Sequence, residues 1–351
     1  MAYTTINKST DYFNTKLYTG NGGTQSITGV GHQPDWVWIK RRDSSGSHII
    51  TDAVRGTGKI ISSNSNGAEF DEGSNGVSAF GTDGFSIGNL SSINTNSGTF
   101  ASWNWKAGGG QGSSNTDGSI NTTYTSVNTT AGFSICKWTG TGANGTIGHG
   151  LGAVPTVIFV KNLGTTENWV TYHKPLGATK YLKLNDNSAQ GTSSDVWNNT
   201  APTSSVFYVG SNTATNQSGN QMIAYCFAEK TGYSKFGSYT GNGNSDGTFI
   251  YTGFRPSWMM IKESSNAGNE WYISDGTRSP TNAGTGSAKV IAASGSGAEE
   301  SGQSYNQFDI VSNGYKVRGD DTRSNGSGRT YIYMAFGQSL VGSNNVPCTA
   351  R

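Results

Sequence analysis

The sequence predicts an all-β chain of three tandem antiparallel β-sandwich domains, and three observations predict it. Short phrases recur three times at matched spacing. The apolar residues alternate or run in short blocks that suit strands, and no stretch of ten or more residues carries a capped 3.6-residue period, so helices should be short or absent. Glycine supplies 51 of 351 residues, about twice its usual ~7%, and proline only 7, a balance that suits many tight turns.

In chain order, "YTGNG" stands at residues 18–22, "WTGTG" at 138–142 and "YTGNG" again at 239–243. A second phrase follows each: "PDWVWIK" from Pro34, "PTVIFVK" from Pro155 and "PSWMMIK" from Pro256, with a lysine six residues after every proline. From lead aromatic to proline the interval is 16, 17 and 17 residues. The segments "FASWNWKA", "MIAYCFAE" and "YIYMAFGQ" close the units, 65, 66 and 74 residues from the lysine to the last aromatic (Lys40 to Trp105, Lys161 to Phe227, Lys262 to Phe336). Units of roughly 100 residues are too long for solenoid turns and read as independent small domains.

Within a unit the grammar is that of strands. The block after the proline is apolar on both alternations, as in a strand covered on both faces, and the proline stops pairing at its entrance. The aromatic of "YTGNG" should end a strand and pack inward, with Gly20 and Gly22 permitting the turn. Asp83-Gly84 and Asn313-Gly314 sit between alternating runs and predict type I′ hairpins, in which both central residues take positive φ; the middle unit lacks this signal. The boundaries follow: repeat 1 over 1–107, a Gly/Ser/Asn-rich connector of the flexible kind over 108–130, a divergent repeat 2 over 131–230, repeat 3 over 231–339, and an extended arm over 340–351. The opening residues alternate enough for an edge strand, either added to a neighbour's sheet or belonging to repeat 1 itself.

Composition narrows the function. With 24 Lys plus Arg against 22 Asp plus Glu, the net charge is +2, which gives no electrostatic footprint for nucleic acid or an acidic membrane. No run approaches the ~18 apolar residues of a membrane span, and the start lacks a basic segment followed by an apolar one, so the chain is expected to be made in the cytoplasm without membrane insertion. Cys136, Cys226 and Cys348 are odd in number and widely spaced, which predicts free thiols. His32, His48, His149 and His173 show no ligand pairing, so neither metal nor cofactor is expected. Asp71-Glu72 and Glu299-Glu300 are adjacent carboxylates that point to opposite faces of an extended segment, unlike the facing pair of a glycoside hydrolase.

One constellation repeats. "HIITDAVRG" holds Asp52 and Arg55, and "EWYISDGTRS" holds Asp275 and Arg278 at the same three-residue step, while repeat 2 places Tyr172 and His173 there. Two readings stay open for these four residues. One is a local ion pair that fixes a strand-to-loop turn; the other is a binding pocket with Arg for bidentate hydrogen bonds and nearby aromatics for stacking on sugar faces.

Taken together, "YTGNG", "PDWVWIK", "DAVRG", "GFSIG", "WNWKAGG" and "YIYMAFGQS" resemble the repeat domain of structural proteins of marine tailed bacteriophages, of the cyanophage and pelagiphage types. The resemblance spans all three units and is strongest in the first and third. It implies lectin-like or jelly-roll sandwiches in a virion component, and it brings no catalytic residue. The expected function is a non-enzymatic structural protein on the particle surface, a tail-fibre or tip adhesin contacting the host. A capsid decoration protein and a surface-polysaccharide depolymerase are the alternatives. The expected partners are other virion proteins, host surface glycans and further copies of the chain, as a trimer.

Overall fold

The computed structural model describes residues 4–282, 288–301 and 308–339; the arm at 340–351, with Cys348, lies outside the described residues. Strands follow the repeated phrases. Repeat 1 forms β1 (Phe13–Thr19), β2 (Gln25–Thr28), β3 (Trp36–Arg41), β4 (Ile49–Asp52), β5 (Lys59–Ile60), β6 (Phe70–Asp71), β7 (Val77–Gly81), β8 (Gly84–Ile87) and β9 (Thr99–Trp105), with a single helical turn, α1 (Ser91–Asn94), before the last strand. Then come β10 (Tyr124–Asn128) and repeat 2, with β11 (Phe133–Thr139), β12 (Gly145–Gly148), β13 (Val157–Asn162), β14 (Val170–His173), β15 (Lys180–Lys183), β16 (Gly191–Thr192), α2 (Ser194–Trp197), β17 (Val206–Val209), α3 (Thr213–Asn216) and β18 (Gln221–Phe227). Repeat 3 contributes β19 (Ser234–Thr240), β20 (Phe249–Tyr251), β21 (Arg255–Glu263), β22 (Tyr272–Asp275), β23 (Val290–Ala292), β24 (Phe308–Val311), β25 (Gly314–Val317) and β26 (Thr330–Gln338).

Each repeat pairs its strands in the same antiparallel order. The larger sheets share the runs β1-β9-β3-β4, β11-β18-β13-β14 and β19-β26-β21-β22, extended by β10, β15 and β16 in the second and by β23 in the third, and the smaller ones run β2-β8-β7, β12-β17 and β20-β25-β24. The central strand of each larger sheet explains how the layers assemble, because its two faces enter different cores. Val37 and Ile39 of β3 join β2, β7 and β8 in an apolar cluster private to repeat 1, and Ile158 with Val160, and Met259 with Ile261, do the same in repeats 2 and 3. The alternate residues, Trp36 and Trp38, Val157 and Phe159, Trp258 and Met260, all enter one common cluster. Alternation along a strand makes this division automatic.

The common cluster joins the three repeats, so beside its private core each unit shares a second one with the others, which independent domains would not do. Its centre is held by the last aromatic of each closing strand: Trp105, Phe227 and Phe336. Trp105 and Phe227 lie 5.7 and 5.9 Å from Phe336, and Trp36 packs on both at 4.5 and 5.8 Å. These are edge-to-face and tilted contacts, the geometry that ring quadrupoles favour. The indole and phenyl rings of a chain poor in aliphatic residues are thus spent on a single buried joint.

Several local expectations need correction. The stretch 108–130 is tied down: Asp35 accepts hydrogen bonds from the amides of Ala107 (2.7 Å) and Gly109 (3.0 Å), Ile120 bridges to Ile147 of β12 in parallel, and β10 pairs along β11. Its Ser, Thr and Asn side chains hydrogen-bond locally, as Asn115 does to the backbone of Asp117, so polar composition here marks satisfied turns and not a free tether. The hairpins at Asp83 and Asn313 form, but shifted: Gly81 pairs with Gly84 and Val311 with Gly314, so the turn residues are Thr82-Asp83 and Ser312-Asn313, none at positive φ. The glycine serves a close approach instead, since a Cβ on Gly84 would lie 1.9 Å from the Ile27 carbonyl, and one on Gly314 2.4 Å from that of Ile250. In repeat 2, α2 stands where this hairpin would be.

The "YTGNG" loops behave as expected. Gly22, Gly142 and Gly243 all take positive φ, Trp138 is buried, and Tyr18 and Tyr239 stack on Phe100 and Tyr331. The opening segment belongs to repeat 1, with β1 paired on β9 over its whole length, and Ser9 donates its amide to the Gln338 side chain of repeat 3 at 2.7 Å.

Candidate functional site

Of the four residues singled out by the repeated Asp-x-x-Arg step, Asp52 and Asp275 end two equivalent strands, β4 and β22, opposite Trp36 and Trp258, and Arg55 and Arg278 lie in the turns that follow. Asp52 folds back on its own turn, accepting the Val54 and Arg55 amides at 3.1 and 2.9 Å, and its other oxygen meets Arg55 Nε at 2.5 Å. Arg55 further donates to the Ile50 carbonyl and to Glu69. Asp275 and Arg278 repeat this pattern, with Ile273 and Glu299 in the corresponding places. Both pairs have side chains with no solvent exposure. The ion-pair reading therefore describes their geometry, and the four residues do not line a pocket together.

Each pair also receives a bond from a neighbouring repeat. Tyr225 of repeat 2 donates its hydroxyl to Asp52 at 2.6 Å, and Trp103 of repeat 1 donates its indole N–H to Asp275 at 3.0 Å, while the Arg278 guanidinium lies over the Trp103 ring. In repeat 2 the equivalent residue is His173, opposite Val157, whose Nε2 donates to the Tyr333 carbonyl of repeat 3 at 3.2 Å. Burial pushes this imidazole down to about 4, so it is neutral. The three bonds run from repeat 1 to 2, 2 to 3 and 3 to 1, which closes a ring.

A second ring runs the other way, from the residue that precedes the same strand. His48 Nε2 donates to Ala292 O of repeat 3, Trp169 to Ser62 O of repeat 1, and Trp271 to Lys183 O of repeat 2, at 3.0, 2.8 and 2.8 Å. His48 Nδ1 accepts from Trp38, which fixes a neutral tautomer, and burial and the Lys40 charge hold its pKa well below the usual range. The lysines that close "PDWVWIK" and its two counterparts, Lys40, Lys161 and Lys262, are fully buried with their ammonium groups on backbone carbonyls, and desolvation lowers all three to about 8. Lys161 crosses the joint to the Asn66 carbonyl. Among the adjacent carboxylates, Glu299 is gripped by both arms of Arg42 across the joint of repeats 3 and 1, at 2.9 and 3.0 Å, whereas Asp71 pairs with Lys59 at the surface.

Sequence reasoning missed two things. A buried asparagine, Asn94, Asn216 or Asn325, stands five residues before each closing strand and braces the "YTGNG" loop by accepting the amide of Asn21, Thr141 or Asn242. That fixed offset is a signal the sequence contains. The second is a cleft of about 350 Å³ at the junction of repeats 2 and 3, lined by Glu229, Thr231, Lys235, Tyr251 and their neighbours. Glu229 and Lys235 pair at 2.9 Å and also border a second cleft of about 360 Å³ with Lys174 and Phe236. Among the described residues, no group of three or more His, Cys, Asp or Glu side chains is placed to hold a metal ion, and Cys136 and Cys226 are free, buried thiols.

Residues 8–339 match a family described as a domain of unknown function (DUF7483), and the chain belongs to that family. The match treats all three repeats as one unit, in keeping with their common core. Neither the curated proteins nor the solved structures return a match to the chain.

Proposed function

We propose that this chain is a non-enzymatic structural component on the outside of a bacteriophage particle, made in the host cytoplasm and built into the virion. Its three repeats are β-sandwiches of the lectin-like kind, and its role is that of a tail-fibre or tip adhesin, with other virion proteins and host surface glycans as partners. The observation that supports this reading is the doubly closed ring of joints, which ties three repeats into one body while their smaller sheets pack on private clusters away from the common core. A rigid body with several outward faces suits attachment, where weak contacts add through effective concentration. The resemblance of the repeated phrases to those of phage structural proteins is the sequence argument for the same reading.

A capsid decoration protein is the second reading, and the ring itself favours it: a single chain with internal threefold character can seat on a threefold site of a shell without assembling into a trimer. Gold-labelled antibody against the chain, applied to intact virions, tests both. Gold at the tail, with a purified protein of three chains' mass, is the result expected of the adhesin. Gold over the shell with a single-chain mass selects the decoration protein, and particles free of gold sink both.

A further inference from the structure

We propose that repeat 3 carries a carbohydrate site of its own, on β20 and the cleft beside it, which takes a neutral hexose oligosaccharide; this names the ligand class and place of the attachment proposed above and rests on that reading. Phe249 and Tyr251 are 44% and 62% exposed, two of four large apolar residues so placed among the described residues. They sit two apart on one strand, so both rings stand on its outward face, roughly 7 Å from each other, while Ile250 between them is buried in the core of repeat 3.

The fold does not demand these rings. By register, Phe249 and Tyr251 correspond to Ser26 and Thr28 in repeat 1 and to Thr146 and Gly148 in repeat 2, each opposite the same position of its partner strand. Gly314 lets the Phe249 ring approach the sheet, since a Cβ there would come 2.6 Å from its edge; at Gly84, its counterpart, the nearest atoms are backbone atoms of Ile27 and Thr28. The result is a firm aromatic platform at the surface of one repeat alone, and exposed apolar rings rimmed by polar groups mark interaction sites.

The cleft that Tyr251 borders supplies the polar half. Glu229 and Lys235 neutralise one another, so the site offers no net charge to an acidic ligand; Glu229 also accepts the Phe236 amide, yet each of its oxygens has a second lone pair and the ammonium keeps further donors. Thr231 adds an exposed hydroxyl. Paired donors and acceptors answer the adjacent hydroxyls of a pyranose, and the C–H face of the sugar stacks on the rings. A peptide strand is the poorer fit, because β20 is only three residues long and gives an added strand very little ladder.

Saturation-transfer NMR on the whole protein with maltotriose, cellotriose and mannotriose tests the site, alongside a variant carrying Phe249→Ser and Tyr251→Thr, which copies repeat 1. The expected result is transfer to the ring protons of at least one trisaccharide, an affinity about 10-fold weaker in the variant, and an unchanged thermal unfolding curve. Absence of transfer to all three sugars, or equal transfer in the variant, overturns the proposal. The antibody labelling separates the two levels: virions labelled on the surface with no sugar transfer sink the site alone, whereas sugar transfer with unlabelled particles sinks the virion reading alone.

Discussion

The joint at Asp275 and the joint at His173 occupy the same place in two repeats and reach the next repeat by different chemistry. At Asp275 a buried carboxylate is neutralised by Arg278 and takes an indole N–H from Trp103. At His173 a neutral imidazole gives its N–H to a backbone carbonyl, and the residue three further on, Leu176, packs on the common core where Arg278 has its counterpart. The position thus asks for a group that bonds the neighbouring repeat and does not ask for charge. Of the two readings the sequence left open for the repeated Asp-Arg pair, the buried ion pair describes its geometry, and it is one of two ways in which this position reaches the next repeat.

Removing one partner should expose the difference most sharply. Asp275→Ala removes the nearer of the two carboxylates that neutralise the buried Arg278, leaving it Glu299, and leaves the Trp103 indole N–H without its acceptor; it is expected to cost about 3–5 kcal/mol in urea unfolding, against about 1–2 for His173→Ala, which loses a single hydrogen bond. Equal losses would show that the charge is irrelevant to the joint. The comparison can then be transplanted: Asp275→His with Arg278→Leu rebuilds the repeat 2 solution in repeat 3, and should recover at least about 2 kcal/mol relative to Asp275→Ala because the under-neutralised guanidinium is gone while Glu299 keeps Arg42. A double variant as unstable as the single one would mean that the two sites are not interchangeable.

An effect smaller than that at Asp275 is expected away from the joints. Asn216→Ala leaves the Thr141 amide without its acceptor and should cost about 1–3 kcal/mol, with faster hydrogen exchange at Thr141 than at its counterparts Asn21 and Asn242. Uniform exchange across the three loops would refute the bracing role.

The last test is the pH slope. Burial lowers Lys161 to about 8 from an unfolded value near 10.5, so between those values the unfolded chain binds the extra proton and stability rises with pH; below about 8 the lysine is charged in both states and its desolvation cost is felt in full. Wild type should therefore gain on Lys161→Met by up to about 1.4 kcal/mol per pH unit across pH 8–10. A difference that stays flat would place the ammonium in contact with water.

How far the sequence foretold this depends on range. Local pattern was enough for β3, whose apolar residues on both alternations meet two cores, and for the closing aromatics, which mark each repeat's end and turn out to occupy the common centre. The Asp-Arg step was legible, but its inward orientation was not, because what buries it comes from elsewhere: Tyr225 lies 173 residues from Asp52, and Trp103 lies 172 from Asp275. The connector at 108–130 misled for a related reason, since Ser and Thr that solvate a linker and those that satisfy a folded turn are the same residues. Phe249 and Tyr251 were visible as letters, and only alignment of the three repeats by register shows them standing where the others carry small polar side chains.

The hydrogen bond from Ser9 to Gln338 brings positions near the two ends of the repeated region side by side, at the seam where repeat 3 meets repeat 1. A ring has no first member. The order in which this chain spells its repeats is then one of three cyclic orders that the folded body treats alike, and a gene cut in the connector before β11 and rejoined across the seam should encode the same molecule.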